Sequence, residues 1–175
     1  VSPDARYGST TAFVAGHSYA DVGKFSTSTY IIDMASGKKI GDLEDFDVTH
    51  DGKLVKDVDR NYWGVTFAKD SDKFYATLGT RKGTWLIEGS VIGRSAHTIH
   101  ENVECPSLSP DGQRVAFRFG PLDEGALLVA DMHGQERRLP CGDRRSREIA
   151  LLRLAEACDR LLWAAVDRTD KAAQP

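Results

Sequence analysis

The chain has 175 residues, of which 41% are hydrophobic and 28% charged, the balance of one globular domain with room for a short appendage and not of a disordered chain. Twenty-three Lys and Arg against 26 Asp and Glu leave a net charge of −3, so there is no global basic field to hold nucleic acid. No apolar run approaches the roughly 18 residues that cross a bilayer, and three cysteines without a CxxC pair make no disulfide framework.

The opening Val1-Ser2-Pro3-Asp4 carries neither a basic nor an apolar leader region. Lacking an initiator Met, it points to a chain trimmed or cut from something longer. Short strands follow. The clearest are Thr29–Ile32, Lys73–Leu78, Thr84–Ile87 and Arg114–Phe119, rich in β-branched and aromatic residues and bounded by Gly, Asp, Ser or Pro. Val115, Phe117 and Phe119 alternate with Arg114, Ala116 and Arg118, a period of two.

Near Cys141 the composition steps. Fifteen of the 16 glycines precede Cys141, and the basic residues after it are mostly Arg. From there Ser146 caps a predicted helix reaching about Arg168. Leu151, Leu154, Cys158, Leu161, Leu162 and Ala165 fall on its apolar side. Residues 1–140 therefore read as one all-β domain and 141–175 as a helical segment.

Self-similarity is the most informative feature. Ser109-Pro110-Asp111-Gly112-Gln113-Arg114 has a weaker copy in Lys69-Asp70-Ser71-Asp72-Lys73 and another in Ser2-Pro3-Asp4-Ala5-Arg6. Each places an Asp-containing turn ahead of an apolar strand, and the full phrase Ser109–Gly112 suits a type I turn, with Pro fixing φ, Asp bonding locally and Gly ending the turn. A second phrase recurs as Ile32-Asp33-Met34, Leu86-Ile87-Glu88-Gly89 and Val129-Ala130-Asp131-Met132. Asp70 to Asp111 spans 41 residues and Glu88 to Asp131 spans 43, matching a propeller blade of four short strands. Asp33 to Glu88 spans 55, so one blade holds an insertion. The simplest site is Phe46–Lys53, as an outer hairpin turning at Asp51-Gly52.

Pro106 through Phe117, with Tyr62-Trp63-Gly64-Val65-Thr66-Phe67-Ala68 ahead of Asp70, resembles the repeat of TolB-type, WD40-like β-propellers over residues 1–140. The resemblance implies a ring of about six blades, export to the bacterial cell envelope, and work done by binding other proteins. The same repeat also resembles the gating propellers of prolyl-oligopeptidase-type enzymes. Residues 1–140 supply about three four-stranded antiparallel blades, short of the four that close a ring. The expected fold is therefore all-β, a partial β-propeller followed by a C-terminal amphipathic α-helix. A truncated gene product, with a reading-frame change near Cys141, accounts for the blade pattern stopping in mid-repeat. Self-association completing the ring, or an open side covered by the helix, are the alternatives.

No catalytic chemistry rises above turn and packing chemistry. His97 and His100 with Cys105 invite a metal site, but residues three apart on a strand point to opposite faces. Asp70–Asp72 and Asp47–Asp51 lack the spacing and closing Glu of a calcium loop. Gly89-Ser90-Val91-Ile92-Gly93 lacks the central Ser of a nucleophile elbow. There is no phosphate-binding glycine loop, and the Arg137-Arg138 and Arg144–Arg147 cluster has no interleaved aromatics for nucleic acid. Cys105 and Cys158 read as small packed thiols, and Tyr62, Trp63 and Trp85 as packing between blades.

The expected function is a non-catalytic scaffold presenting loops to a protein partner, with no cofactor, metal, nucleic acid or membrane insertion. Its candidate interaction loops are Asp70, Ser71, Asp72 and Ser109, Pro110, Asp111, Gly112. In a complete ring, the segments around Phe67–Asp72 and Leu108–Gly112 would share one end of the axis. The alternatives are a regulatory fragment of a hydrolase whose catalytic domain lies elsewhere, and a small-ligand or sugar-binding propeller.

Overall fold

The computed structural model describes residues 1–14, 26–119, 126–131 and 136–138. The chain divides into two compact units between Pro106 and Ser107.

In the first unit, β1 (Tyr7–Phe13), β2 (Thr27–Asp33) and β3 (Lys39–Asp42) form a three-stranded antiparallel sheet in that order. Asp42 then caps a 3₁₀ turn, Leu43–Asp45, by accepting from the Glu44 N–H at 3.1 Å. The inserted segment follows as the hairpin β4 (Asp47–His50) and β5 (Lys53–Leu54). Its turn residues Asp51 and Gly52 have φ of 48° and 73°, the pair of left-handed residues that a type I′ hairpin turn needs. The predicted outer hairpin is therefore present.

A meander of β6 (Asn61–Phe67), β7 (Lys73–Thr80), β8 (Gly83–Ser90) and β9 (Ser95–Glu101) comes next. The inserted β4 runs parallel to β9, with Val48 opposite Ala96. Sheet two thus has six strands in the order β5-β4-β9-β8-β7-β6. The third sheet, β10 (Glu104–Leu108), β11 (Arg114–Phe119), β12 (Ala126–Asp131) and β13 (Glu136–Arg138), keeps that sequential order and lies mostly in the second unit.

Three successive sheets were expected with four strands each; among the described residues they have three, six and four. The second gains its extra pair because the insertion adds to its outer edge. No α-helix occurs among the described residues. The predicted helix and the boundary at Cys141 both lie outside them.

The repeated turn is the same object three times. Ser2, Ala68 and Ser109 each donate their backbone N–H to a carbonyl five residues on, at 2.7–2.8 Å, and each accepts from the N–H three residues on. The residue in that third place is left-handed in every copy: Ala5 at φ 58°, Ser71 at 60°, Gly112 at 75°. In two copies a serine hydroxyl links the Asp carboxylate to the strand. Ser2 Oγ donates to Asp4 at 2.7 Å and accepts from Tyr7 N–H at 2.9 Å, and Ser109 does the same for Asp111 and Arg114. Where Ala68 replaces the serine, Asp70 accepts directly from the Lys73 N–H at 3.1 Å.

The second recurring phrase needs a correction. Asp33 pairs with Tyr7, Asp131 with Arg114, and Ser90 with Lys73. Since Tyr7, Lys73 and Arg114 are equivalent, Ser90 and not Glu88 occupies the Asp position, and Ser90 to Asp131 spans 41 residues. The β7–β8 pair is eight residues long against six for β11–β12, which carries Glu88 two positions away from the turn. Ser90 does the work of the missing carboxylate: its Oγ accepts from Gly93 N–H at 2.8 Å, as Asp33 Oδ1 accepts from Ser36 N–H at 2.7 Å.

The core of the first unit joins Tyr7 and Ile31 of sheet one to Phe46, which follows the 3₁₀ turn, and to Phe74, Leu78 and Ile87 of sheet two. Phe46 meets Phe74 edge to face, with centroids 6.0 Å apart. Burying one such Phe fully contributes about 1.5–3 kcal/mol. The sheets are also tied by polar groups. Thr27 Oγ1 donates to the Tyr62 carbonyl at 3.0 Å and accepts from the Tyr62 N–H at 3.2 Å, and the Thr29 hydroxyl donates to the same carbonyl. Gly64, at the bulge in β6, has φ 67° and lets Cys105 Cα and Pro106 Cδ come within about 3 Å of where a Cβ would stand.

Candidate functional site

The predicted loop residues bond within their own turns at Asp70, Ser109 and Asp111, and to the β8–β9 turn at Asp72. Asp70 accepts from Lys73, while Asp72 accepts from the Ser90 hydroxyl at 2.8 Å and the Ile92 N–H at 2.7 Å. Ser71 is fully buried. Ser109 is buried too, whereas Pro110 and Asp111 are exposed and Gly112 is half-buried. The Ser109 hydroxyl, followed by the Gln113 N–H, holds the Asp111 carboxyl below the usual carboxylate range. The copy at Asp4 is lowered to about 2, first by the Ser71 hydroxyl, then by Arg6 N–H and the Ser2 hydroxyl. The bonds of strict geometry there are those from Ser2 and Arg6, and Ser71 Oγ makes none. Asp70–Asp72 and Ser109–Gly112 belong to different compact units.

His97 and His100, expected on opposite faces of their strand, lie on the same one. His97 lies opposite Glu88 and His100 opposite Leu86, because β9 bulges at Ile99. Opposed residues share a face, so the bulge returns the two imidazoles to the same side. β9 is not an outer strand either, since β4 pairs beyond it. Among the described residues, no three His, Cys, Asp or Glu are grouped so as to hold a metal ion. Cys105, expected to be buried, is half-buried, with its N–H donating to Thr77 Oγ1 at 3.0 Å. Tyr62 and Trp63 are buried as predicted. Trp85 packs only partly against the core.

Its other side lines a cleft of about 220 Å³ that sequence reasoning missed. Leu78 and Trp85, opposed on β7 and β8, form the floor. One wall is the inserted hairpin and the segment after it. His50 Nδ1 lies 2.9 Å from Thr98 Oγ1 on β9, and its ring centroid is 5.6 Å from that of Trp85. Val55 N–H donates back to the Val48 carbonyl at 2.8 Å, and Arg60 Nη1 to the Val55 carbonyl at 2.9 Å. Asp57 and Asp59 reach the β7–β8 turn, Asp57 through Lys82 Nζ at 2.5 Å and Asp59 through the Arg81 N–H at 2.8 Å. The Arg81 N–H, ahead of the nearby cations, holds the Asp59 carboxyl below its ordinary range. The sequence signals were present separately, as an insertion before Asn61 and a large aromatic at Trp85.

The solved structure of TolB from Acinetobacter baumannii superposes with a TM-score of 0.53 at 16% identity, covering 79% of this chain and 30% of that one. The fold is that of a TolB-like β-propeller. A protein described as a dipeptidyl aminopeptidase IV from Bacteroides ovatus matches with a TM-score of 0.45 at 12% identity, over 69% of this chain and 20% of that chain. Hydrazine synthase of Kuenenia stuttgartiensis matches at 0.46 and 17% identity, over 82% of this chain and 41% of that one. No family profile and no curated protein sequence matches the chain. The chain thus spans less than a third of TolB, and its three sheets are propeller blades.

Proposed function

We propose that the chain is a non-catalytic β-propeller scaffold that binds protein partners at the bacterial cell envelope, and that it receives an extended strand along the side of β1 that forms a sheet edge among the described residues. One observation carries this reading. In the second and third blades, the strand after the repeated turn is flanked by an earlier one, β6 beside β7 and β10 beside β11. Its counterpart β1 is the edge of its sheet among the described residues. Burial differs accordingly. All six central residues of β7 are buried, whereas Thr10–Phe13 of β1 are exposed. An edge of this kind is a template for strand addition, in which main-chain hydrogen bonds supply affinity.

The donor this reading calls for is a strand of a protein partner, such as a second copy of this chain. The envelope placement rests on the likeness to TolB alone. The test combines light scattering over a range of concentrations with amide hydrogen exchange of Tyr7–Phe13. Association that slows exchange in β1 is the expected result. Protection of β1 equal to that of β7 in a monomer would refute the proposal, because the edge would then be filled from within the chain.

A further inference from the structure

The cleft beside the inserted hairpin has the composition of a binding site for a small molecule, and it is independent of the strand-addition reading. At about 220 Å³ it exceeds the roughly 150 Å³ that takes a benzene ring and falls short of the ~300 Å³ at which drug-sized pockets begin. Its occupant is therefore one ring with a small substituent. The floor and inner wall are apolar and aromatic: Leu78 is fully buried, and Val55 and the Trp85 ring stand beside it. The tilted His50 and Trp85 rings give a planar ligand surfaces to stack on.

The polar groups are unevenly satisfied. Asp57 is taken by Lys82 at 2.5 Å, and that bond, first among its causes, raises the Lys82 ammonium above its ordinary range. Lys53, on β5 at the mouth, has no carboxylate partner among the described residues. With Lys53 and Lys82 against Asp57, the lining carries one positive charge in excess. An excess cation and an apolar aromatic floor describe one chemical class.

We infer that this cleft binds a small aromatic carboxylate, its ring against Leu78 and Trp85 and its anionic group toward Lys53. The hairpin is what makes the site, because without β4 and β5 the Trp85 face would lie open.

The experiment uses the whole chain and a pair of fluorine-labelled probes of matched size, 4-fluorobenzoate and 4-fluorobenzamide, titrated by fluorine NMR. The acid is expected to bind about three- to fivefold more tightly than the amide, the range an exposed ion pair supplies. Lys53→Gln, a surface substitution, should abolish that preference and leave amide binding unchanged. Trp85→Leu should weaken both probes. Should that variant unfold, Thr98→Val, which breaks the His50 contact, serves in its place and should weaken both. Equal binding of acid and amide to the wild type would overturn the charge assignment. Absence of binding by either probe at about 10 mM, weaker than any specific pocket of this kind, would overturn the site.

Discussion

Replacing Thr27 by Val tests how the first two blades are joined. Thr27 is 1% exposed and its hydroxyl serves Tyr62 twice, as donor to the carbonyl and acceptor from the N–H. Val has nearly the same shape, so the packing volume is kept while both bonds go. Losing the donated bond costs about 0.5–1.5 kcal/mol, and the stranded Tyr62 N–H about 1–3 more. Burying a methyl in place of the hydroxyl returns about 1 kcal/mol, leaving a net loss of about 0.5–3.5, centred near 2 kcal/mol. Thr29→Val is the internal control. It also removes a bond to the Tyr62 carbonyl, but Thr27 still serves that oxygen and the N–H keeps its acceptor. Among the described residues the other group affected is the hydroxyl of Thr11, an exposed residue, so the expected cost is about 0.5–1 kcal/mol. With a urea slope near 2 kcal/mol/M, Thr27→Val should lower the unfolding midpoint by about 1 M and Thr29→Val by less than half of that. A larger loss for Thr29→Val, or none for either, would refute the view that the bidentate hydroxyl of Thr27 joins the sheets.

Gly64→Ala should destabilise by about 2–5 kcal/mol in the same assay, since the left-handed backbone costs an L-residue about 1–2 and overpacking against Cys105 and Pro106 about 1–3; a change under about 0.5 would show that the bulge relaxes. Ser71→Gly should stabilise by about 1 kcal/mol by relieving φ 60° and removing an enclosed hydroxyl without a bond partner. The lowered carboxyls of Asp4, Asp33 and Asp111 contribute stability that is complete above about 3.9, the unfolded value. Their contribution is lost as the pH falls through their folded values, down to about 2 for Asp4. Urea midpoints should therefore drop between about pH 5 and pH 2, and a midpoint that rises on acidification would contradict the turn bonding.

The turns were legible because their chemistry is local. Ser109, Pro110, Asp111 and Gly112 close the turn through bonds between residues at most five apart. The inserted hairpin was legible for the same reason, Asp51-Gly52 being a strong short-range signal. What escaped was set by pairing over distance. The parallel contact of β4 with β9 joins Asp47 to Ser95 and leaves no periodic mark, yet it builds the cleft and makes β9 an inner strand. The bulge at Ile99 likewise cannot be read from residue types, and it reverses the parity on which the His97–His100 argument stood. For the interaction loops, the turn chemistry was legible, and the Asp70 and Asp111 carboxylates accept from backbone N–H groups of their own turns.

The middle repeat separates what the turn requires from what merely accompanies it. It has lost the serine at Ala68, the proline at Lys69 and the glycine at Ser71, yet its two backbone bonds match those of the other copies to within about 0.2 Å. The Asp survives and takes over the serine's acceptor role toward Lys73. At the far end of the same hairpin the reverse exchange occurs, with Ser90 replacing an Asp and still accepting from the N–H three residues on. In both places an oxygen acceptor within reach of a stranded N–H is retained while its residue type changes. The blade is thus specified by hydrogen-bond register, and the recurring phrase marks it only where the acceptor happens to sit on the same residue. A search for further blades in a longer chain should follow the paired strands and their turn acceptors, since letter-by-letter likeness misplaced Glu88 by one full strand period.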